Sequence, residues 1–292
     1  MSLNLDLEEI KKFWPKDAPN LKSVPKYVNK YKKDLIVIKY GGNVLIERQI
    51  FNNFINDINI LNKLGLSIIV VHGGGPRIER ELKKKKIKSE FINGLRVTSQ
   101  DIIETVEKVL IEFNEDIVNS LKKKGSNATS VHTKLNNIMS VVPDSPELGF
   151  VGIPNKINTD YIEELINNKH IPIVAPLGLD KNNQTYNING DSAASAIAKK
   201  LKSRRLLLMT NVEWVYDDRK NLISEIKPFD IENLVNLKIV QGGMIPKIKN
   251  CIDAVENGVR GVVILDGRKP HSILFEIFSD KGAGTLIRKW RN

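Results

Sequence analysis

Short apolar runs alternate with longer amphipathic stretches along most of this chain, which predicts strands alternating with helices. The apolar runs predict strands at 35–39, 67–71, 171–174, 206–209 and 262–265, and further extended segments at 91–98, 128–132, 138–142 and 184–188. The amphipathic stretches predict helices at 47–64, 78–86, 100–124, 161–168, 191–201 and 272–278. Repeated β-α-β units favour parallel strands, because each parallel connection needs a crossover. We therefore predict an α/β fold, a three-layer α-β-α sandwich with a mainly parallel central sheet.

Residues 1–30 follow a different pattern, here called the N-terminal arm. Three prolines interrupt it, and its first half is rich in apolar residues, namely Leu3, Leu5, Leu7, Ile10, Phe13 and Trp14. Such a segment cannot bury these side chains without another surface. The arm packs either on its own domain or on another subunit, and the sequence leaves both alternatives open.

The composition is that of an ordinary globular protein. The chain has 292 residues, 41% hydrophobic and 27% charged, enough for two modest domains or one large α/β unit. No apolar run approaches the ~20 residues of a membrane span, and residues 1–10 lack the apolar core of a signal peptide. The single cysteine, Cys251, excludes an internal disulfide and is interpreted as a packing residue. We expect a cytoplasmic protein with no membrane association.

The net charge of +11 raises the possibility of nucleic-acid binding. The basic residues are scattered, however, and their two local runs, 83–86 and 122–124, lie near predicted helix ends, where lysine complements the helix dipole. Aromatic residues make up only 6% and do not interleave with the basic ones as in single-strand binders. We expect no nucleic-acid partner, although the positive field attracts anionic substrates.

Two predicted strands run directly into glycines. The first ends in Lys39-Tyr40-Gly41-Gly42-Asn43 and the second in His72-Gly73-Gly74-Gly75-Pro76. Glycine lets backbone N–H groups approach an anion closely, and lysine adds a point charge suited to phosphate. Each loop alone is more often a tight turn than a ligand site, and neither has the spacing of a P-loop or a dinucleotide fingerprint. Together they indicate an enzyme that handles phosphates.

Two later motifs place charged residues at predicted helix starts. Asp191 is typical of a helix N-cap and ends the motif Asn187-Ile188-Asn189-Gly190-Asp191. Asn187 is typical of either a turn or a substrate-binding residue. Lys247 follows Gly242-Gly243-Met244 into a helix, where the helix dipole disfavours a lysine. Lys247 therefore faces either an anion or solvent.

The ordered set of motifs resembles the N-acetylglutamate kinase branch of the amino acid kinase family, over about residues 24 to 288. Besides the four motifs above, it includes Asn93-Gly94-Leu95-Arg96-Val97-Thr98 and Ile264-Leu265-Asp266-Gly267-Arg268-Lys269-Pro270-His271. The resemblance implies the amino acid kinase fold. It also implies ATP-dependent phosphorylation of the γ-carboxylate of N-acetyl-L-glutamate in arginine biosynthesis, with Mg²⁺ carried by the nucleotide phosphates.

The resemblance also assigns roles to residues. It implies that Lys39 and Lys247 stabilise the transferring phosphoryl group from opposite sides and that Asp191 holds both lysines. The implied substrate-binding residues, with Arg96 on the α-carboxylate, are Gly42, Gly74, Gly75, Arg96 and Asn187. The implied ATP-binding residues are Asn211, Val212, Glu213, Trp214, Val215, Tyr216, Gly243 and Met244.

The resemblance further implies an organisation into lobes and subunits. Residues 31–202 would form the acetylglutamate-binding and dimerisation lobe, and residues 203–292 the ATP-binding lobe. The arm resembles the extra helix that joins dimers into hexamers in arginine-inhibited members. An arginine site is then expected at His271, Glu276 and Gly284, with Asp280 as a second carboxylate candidate. A nitrogen-signalling protein is a further expected partner.

Three positions depart from the family pattern. Gly190 stands where alanine is usual, Trp214 stands where glycine is common, and 126–137 lacks the usual Ser-Gly-Lys-Asp-like stretch. These departures keep two rival hypotheses open: a catalytically weak paralogue acting as an amino-acid sensor, or a kinase for another acylated amino acid.

Overall fold

The computed structural model describes residues 7–41, 47–210, 223–240 and 244–289. Eight strands form the central sheet: β1 (Leu35–Tyr40), β2 (Ser67–His72), β5 (Ala128–Val131), β8 (Ile171–Val174), β11 (Arg205–Thr210), β12 (Glu225–Ile226), β13 (Val262–Asp266) and β14 (Gly284–Ile287). Their order is β12-β14-β13-β11-β1-β2-β8-β5. Every neighbouring pair is parallel except β13 and β14.

Helices cover both faces of this sheet. Those in the described part are α1 (Leu7–Lys11), α2 (Val24–Tyr31), α3 (Arg48–Lys63), α4 (Gly75–Lys84), α5 (Gln100–Lys123), α6 (Asp160–Asn167), α7 (Gly190–Lys200), α8 (Ile231–Asn236), α9 (Met244–Glu256) and α10 (Ser272–Phe278). One buried cluster joins the sheet to α2, α3, α10 and the second half of α5, and the other joins it to α6, α7 and α9. None of these helices is both long and apolar enough to span a membrane.

Successive residues of the inner strands point to opposite helix layers. In β1, Ile36 and Ile38 pack with α3 and α10, whereas Val37 packs with α7 and α9. Because both faces of these strands are buried, their sequences are continuous apolar runs. The predicted three-layer sandwich with a mainly parallel sheet is confirmed.

A second, smaller sheet was not predicted. It consists of β6 (Met139–Pro143), β7 (Gly152–Ile157), β9 (Leu177–Leu179) and β10 (Thr185–Asn187), in the order β10-β9-β6-β7. Local patterning predicts extended chain at 138–142 and 184–188 but not this pairing. It misses β7 because that strand is half exposed and contains Pro154, so it carries no clear apolar run. A two-stranded hairpin, β3 (Phe91–Ile92) and β4 (Leu95–Arg96), forms a third, separate antiparallel sheet.

Several boundaries differ from those predicted. Helix α4 begins at Gly75 rather than at Ile78, because Pro76 stands at the start of its first turn, where its missing N–H needs no partner. Helix α7 begins at Gly190, one residue before the predicted start. The short elements β12, α8 and β14 were not predicted.

The described part of the N-terminal arm packs on its own chain. Ile10 and the α2 residues Val24, Tyr27, Val28 and Tyr31 are buried in the same cluster as α3 and α10. The ring of Trp14 contacts Phe278 edge-on, with 5.6 Å between ring centroids. Packing on its own domain therefore accounts for residues 7–31, and a contact with another subunit stays a prediction.

Candidate active site

The two glycine loops meet at the carboxyl edge of the central sheet. Strands β1 and β2 pair in a register that sets Lys39 beside Val71 and Tyr40 beside His72. The N–H of Gly73 donates to the carbonyl of Tyr40 at 2.7 Å. Parallel neighbouring strands release their loops at the same sheet edge, which is where ligands of open α/β sheets bind.

Asp191 joins two lysines that are far apart in the sequence. Lys39 Nζ lies 2.9 Å from Oδ1 of Asp191, and Lys247 Nζ lies 2.5 Å from Oδ2. Each of the three side chains is less than one fifth exposed, at 11%, 17% and 18% for Lys39, Lys247 and Asp191. Of the two alternatives for Lys247, the structure has it facing an anionic group rather than solvent.

The N-cap of α7 is Asn189 and not Asp191. The side-chain oxygen of Asn189 accepts hydrogen bonds from the backbone N–H groups of Asp191 and Ser192, at 2.9 and 3.1 Å. The interpretation of Asp191 as a helix cap is therefore wrong. Because Asn189 satisfies these N–H groups, both carboxylate oxygens of Asp191 are left for the lysines.

The charges of this group stabilise one another. Burial opposes ionisation of Asp191, but Lys39 and Lys247 outweigh it and hold the pKa of the carboxyl below its usual range. Asp191 thus remains anionic at neutral pH. Cys251, one turn after Lys247, is a buried thiol whose pKa burial raises to about 12, which makes it unreactive and agrees with a packing role.

A cavity of about 200 Å³ lies beside this group. Five of the predicted site residues line it together, namely Lys39, Gly74, Gly75, Arg96 and Asn187. Its apolar wall includes Ile78, Phe91 and Leu110. The structure therefore brings these five residues, taken from separate motifs, to one concave site.

Arg96 is held rigidly at the cavity wall. Its side chain is 7% exposed, and Nη1 donates to Glu79 at 3.0 Å and to Ser89. Nη2 lies 3.4 Å from the carbonyl of Gly75, and the ring of Phe91 lies 4.7 Å from the guanidinium carbon. These contacts fix the planar fork, which matches the geometry of a carboxylate.

Asn187 is linked to Arg96 through a threonine. The Asn187 Nδ2 donates to Oγ1 of Thr98 at 3.3 Å, and Thr98 Oγ1 donates to the carbonyl of Arg96 at 2.9 Å. Strand β10, which carries Asn187, belongs to the second sheet. The second sheet thus supplies one polar wall of the cavity.

Two glycines of the loops lie where a Cβ would crowd a neighbouring side chain. A Cβ on Gly74 would lie 2.4 Å from Cδ2 of Leu110, on α5. A Cβ on Gly41 would lie 2.4 Å from Nζ of Lys39 itself. Glycine at these positions therefore allows the loop to pack against α5 and leaves space for the lysine head group.

His72 and Asn114 are site-supporting residues to which sequence reasoning gave no role. His72 is fully buried, with Nδ1 2.9 Å from the carbonyl of Gly73 and Nε2 3.1 Å from Nδ2 of Asn114. A carbonyl only accepts, so we assign the proton to Nδ1 and the acceptor role to Nε2. Burial lowers the pKa of His72 to about 4, so the ring is neutral. Its position before three glycines was the available signal.

Part of the predicted site lies outside the described residues: Gly42, Asn211, Val212, Glu213, Trp214, Val215, Tyr216 and Gly243. Met244 is described and is the first residue of α9, three positions before Lys247. It packs, partly buried, against the cluster that contains α7. The nucleotide contacts assigned to these residues stay predictions.

The predicted regulatory residues lie around α10, which packs on the face of the central sheet opposite to α7 and α9. Burial raises the pKa of Glu276, whose carboxylate accepts from the N–H of Ala283 at 2.9 Å. Gly284 opens β14, and His271 Nδ1 lies 2.6 Å from Oδ1 of Asp57. Asp280 binds the arm, 2.5 Å from the hydroxyl of Tyr27 and 2.9 Å from Nζ of Lys26.

The unusual segment 126–137 has a defined structure. It contains β5, and Glu107 of α5 accepts hydrogen bonds from Thr133 at 2.8 Å and from Thr185 at 2.9 Å. Lys134 lies 3.1 Å from the same carboxylate. Glu107 therefore ties this segment to the second sheet, which carries Asn187.

Comparison with known proteins agrees with this architecture. The model of the amino acid kinase family matches residues 34–266. Acetylglutamate kinase from Pelagibacter ubique is 51% identical over 97% of this chain and 98% of its own length. The chain belongs to the amino acid kinase family, in its acetylglutamate kinase branch. Acetylglutamate kinase from Clostridioides difficile is 42% identical over 90% of this chain and 94% of its own length.

Solved structures share the fold at lower identity. N-acetylglutamate synthase from Neisseria gonorrhoeae, complexed with coenzyme A and N-acetyl-glutamate, superposes with a TM-score of 0.83 at 21% identity, over 93% of this chain. The present chain covers 63% of the length of that synthase. Carbamate kinase from Giardia lamblia, bound to AMP-PNP, has a TM-score of 0.64 at 17% identity, over 88% of this chain and 99% of its own. At these identities the likeness shows the fold alone.

Proposed function

We propose that this kinase transfers the γ-phosphoryl group of ATP to the γ-carboxylate of N-acetyl-L-glutamate, forming N-acetyl-L-glutamyl 5-phosphate for arginine biosynthesis. The observation that carries the proposal is the convergence of Lys39, Asp191 and Lys247 beside a cavity that contains Arg96 and Asn187. The relatives named acetylglutamate kinase, which align over nearly the whole chain, support the same substrate.

The proposed reaction needs no general base. The acceptor carboxylate is already ionised at pH 7, so one of its oxygens attacks the γ-phosphorus directly. The new O–P bond forms as the bond to the β-phosphate bridging oxygen breaks, and ADP leaves with that electron pair. No proton is transferred. The barrier arises from bringing anions together and from charge on the migrating phosphoryl group, and fixed cations relieve both.

The residues of the site fit these requirements. Lys39 and Lys247 supply two ammonium groups, and Asp191 holds both so that little reorganisation is needed when charge develops. The backbone amides of Gly42, Gly74 and Gly75 are assigned to binding phosphoryl or substrate oxygens. Arg96 is assigned to the α-carboxylate and Asn187 to the polar atoms of the substrate. Asn211 to Tyr216, with Gly243 and Met244, are assigned to the nucleotide.

The metal requirement is assigned to the nucleotide. Within the described ranges, no three His, Cys, Asp or Glu side chains come together as metal ligands. Both carboxylate oxygens of Asp191 already face lysines. We therefore propose that Mg²⁺ enters with the ATP phosphates, where it neutralises their charge.

Assembly and regulation are proposed by analogy with the branch. The arm and the α10 segment touch through Lys26, Tyr27 and Asp280, so a ligand at His271, Glu276 and Gly284 would lie next to the arm. We propose arginine as that ligand and a hexamer built from dimers through the arm, with a nitrogen-signalling protein as a further partner. Gel filtration showing only dimers, or activity unchanged in millimolar arginine, would contradict these two points.

The substrate assignment is tested by a coupled ADP-release assay. N-acetylglutamate, glutamate and N-acetylaspartate are compared at equal concentrations, with wild type and Lys39→Ala side by side. We expect turnover with N-acetylglutamate that Lys39→Ala abolishes. Preference for another acylated amino acid would instead support the rival kinase, and no turnover with any of the three would support an amino-acid sensor.

A further inference from the structure

A second cleft opens at the opposite edge of the central sheet. The site above lies at the carboxyl ends of β1 and β2, whereas Arg205 begins β11 and Arg260 precedes β13, two strands parallel to β1. A cleft of about 300 Å³ lies there, lined by Glu225 and by six cationic residues, Lys30, Arg204, Arg205, Arg260, Arg288 and Lys289. We call it the cationic cleft. Among the described residues, it shares no lining residue with the candidate active site.

Ion pairs neutralise only part of this charge. Glu225 binds Arg288 bidentately, at 3.0 and 2.9 Å. Asp34 lies 2.6 Å from Nη1 of Arg204 and 3.4 Å from Nη1 of Arg260. Within the described ranges, the ion pairs of the cleft thus use two carboxylates for six cations.

Two further carboxylates in the described ranges, Glu276 and Asp280, act on the cleft residue Lys30. Glu276 is close enough to Arg205 and Lys30 to interact with both, but burial raises its pKa, which disfavours its charged form. Lys30 is affected by the excess of positive charge in the cleft. Burial and the positive charges of Arg205 and Arg204 lower its pKa.

Two buried donors of the cleft lack partners. The Nε atoms of Arg204 and Arg205 are inaccessible to solvent, and neither has a hydrogen-bond partner in the described part of the chain. A ligand in the cleft cannot reach nitrogens that are closed to solvent, so it would meet the charge of the lining side chains rather than these two donors. Both residues line the same cleft.

We propose that the cationic cleft binds a small, multiply charged oxyanion, of the phosphate or polycarboxylate class. Guanidinium groups match the oxygens of both classes with paired hydrogen bonds. A multiply charged ligand is required because several positive charges remain unneutralised. The concave shape suits a small metabolite, whereas nucleic acid binds along an extended basic surface. The proposal does not depend on the kinase function.

The test is a calorimetric titration of the full chain with pyrophosphate, in saturating ADP and N-acetylglutamate so that both the nucleotide site and the acceptor pocket are occupied. Citrate is titrated in parallel, which separates the phosphate from the polycarboxylate source. The variant Arg260→Gln/Arg288→Gln removes two cations whose side chains are each 51% exposed, so the core is undisturbed. The control Lys122→Gln/Lys123→Gln removes the same charge from the exposed end of α5.

We expect wild type to bind one equivalent of at least one anion with a dissociation constant below about 1 mM. Each lost charged hydrogen bond weakens binding roughly ten-fold, so the cleft variant should bind about 100-fold more weakly. The control should bind within about two-fold of wild type, since distant exposed charges are screened. Failure of wild type to bind either anion overturns the proposal. Equal weakening in the control overturns it as well, because binding would then follow net charge alone.

Discussion

Asn114 donates a hydrogen bond to the buried ring of His72, 3.1 Å from Nδ2 to Nε2, and a second one to the carbonyl of Ile173 at 2.8 Å. His72 in turn holds the carbonyl of Gly73, so the glycine loop is tied to α5 and β8 through one polar chain. Leu110 contacts the same loop one helical turn earlier. Helix α5 thus positions the loop although it carries none of the assigned catalytic groups.

Replacing Asn114 by leucine should misplace the glycine loop. The change leaves the acceptor of His72 buried without a donor, which costs about 1–3 kcal/mol of the free energy of unfolding. A shift of the loop should also lower kcat/KM several-fold beyond any loss of folded protein. Urea unfolding and steady-state kinetics measure the two effects. The control is Asn119→Leu on the exposed face of α5, which should leave both unchanged.

The buried His72 should make stability rise with pH. Burial lowers its pKa to about 4, whereas the unfolded imidazole titrates near 6.5. Between these values the unfolded state binds more protons, so the free energy of unfolding increases from pH 4 to pH 6.5, by up to about 3 kcal/mol. His72→Gln should lack this increase. Urea denaturation across that pH range measures the effect. If the free energy of unfolding of wild type and variant changes with pH in parallel, the neutral buried state assigned to His72 is wrong.

The Asp57–His271 pair should act in the opposite direction. Burial raises the pKa of Asp57 to about 6, and the hydrogen bond to Asp57 raises that of His271, which Asp17 also approaches at 3.5 Å. The folded state then binds more protons than the unfolded state from about pH 4 to above pH 6.5, so this contribution to stability is lost as pH rises. Asp57→Asn should flatten that decline in urea denaturation. An unchanged slope between pH 5 and pH 7.5 contradicts the prediction.

Asp191→Asn should remove the anion that holds the two lysines. Lys39 and Lys247 would then repel each other and lose their fixed positions. We expect kcat to fall by about 10²–10³, the scale of losing one preorganised electrostatic group. The matched control is Asp253→Asn in α9, whose carboxylate pairs with Lys199 and is 52% exposed. Similar losses of kcat in both variants would show that Asp191 acts through general charge only.

Arg96→Lys should separate substrate binding from chemistry. Lysine keeps the charge but lacks the planar fork, and it cannot reproduce the contacts to Glu79, Ser89 and Gly75. We expect the KM for N-acetylglutamate to rise about 10- to 100-fold, with a small change in the KM for ATP. Arg80→Lys, on the exposed face of α4, serves as the control. An equal rise in both KM values would place Arg96 outside the acceptor site.

Much of the local chemistry of this protein can be predicted from its amino-acid pattern. Apolar runs identified the inner strands because strands buried on both faces admit few polar residues, and β1 and β2 were found in this way. Glycines at strand ends marked the loops, since the absence of a Cβ lets backbone and side chains approach closely. Gly41 and Gly74 show this constraint in the structure. The family motifs then supplied the order of the charged groups.

Local patterns do not predict which of these groups meet, because that depends on how the whole chain folds. A local pattern indicates backbone preference and burial, but it does not indicate which distant segments are in contact. For this reason the local pattern at Asp191 is typical of a helix cap, and only the family resemblance implied that Asp191 holds both lysines. In the structure Asn189 caps the helix, and Asp191 joins two lysines from β1 and α9. For the same reason, local patterns did not predict the second sheet, the His72–Asn114 pair or the cationic cleft. Each of them forms when segments far apart in the chain are packed together by burial of the two helix layers against one sheet.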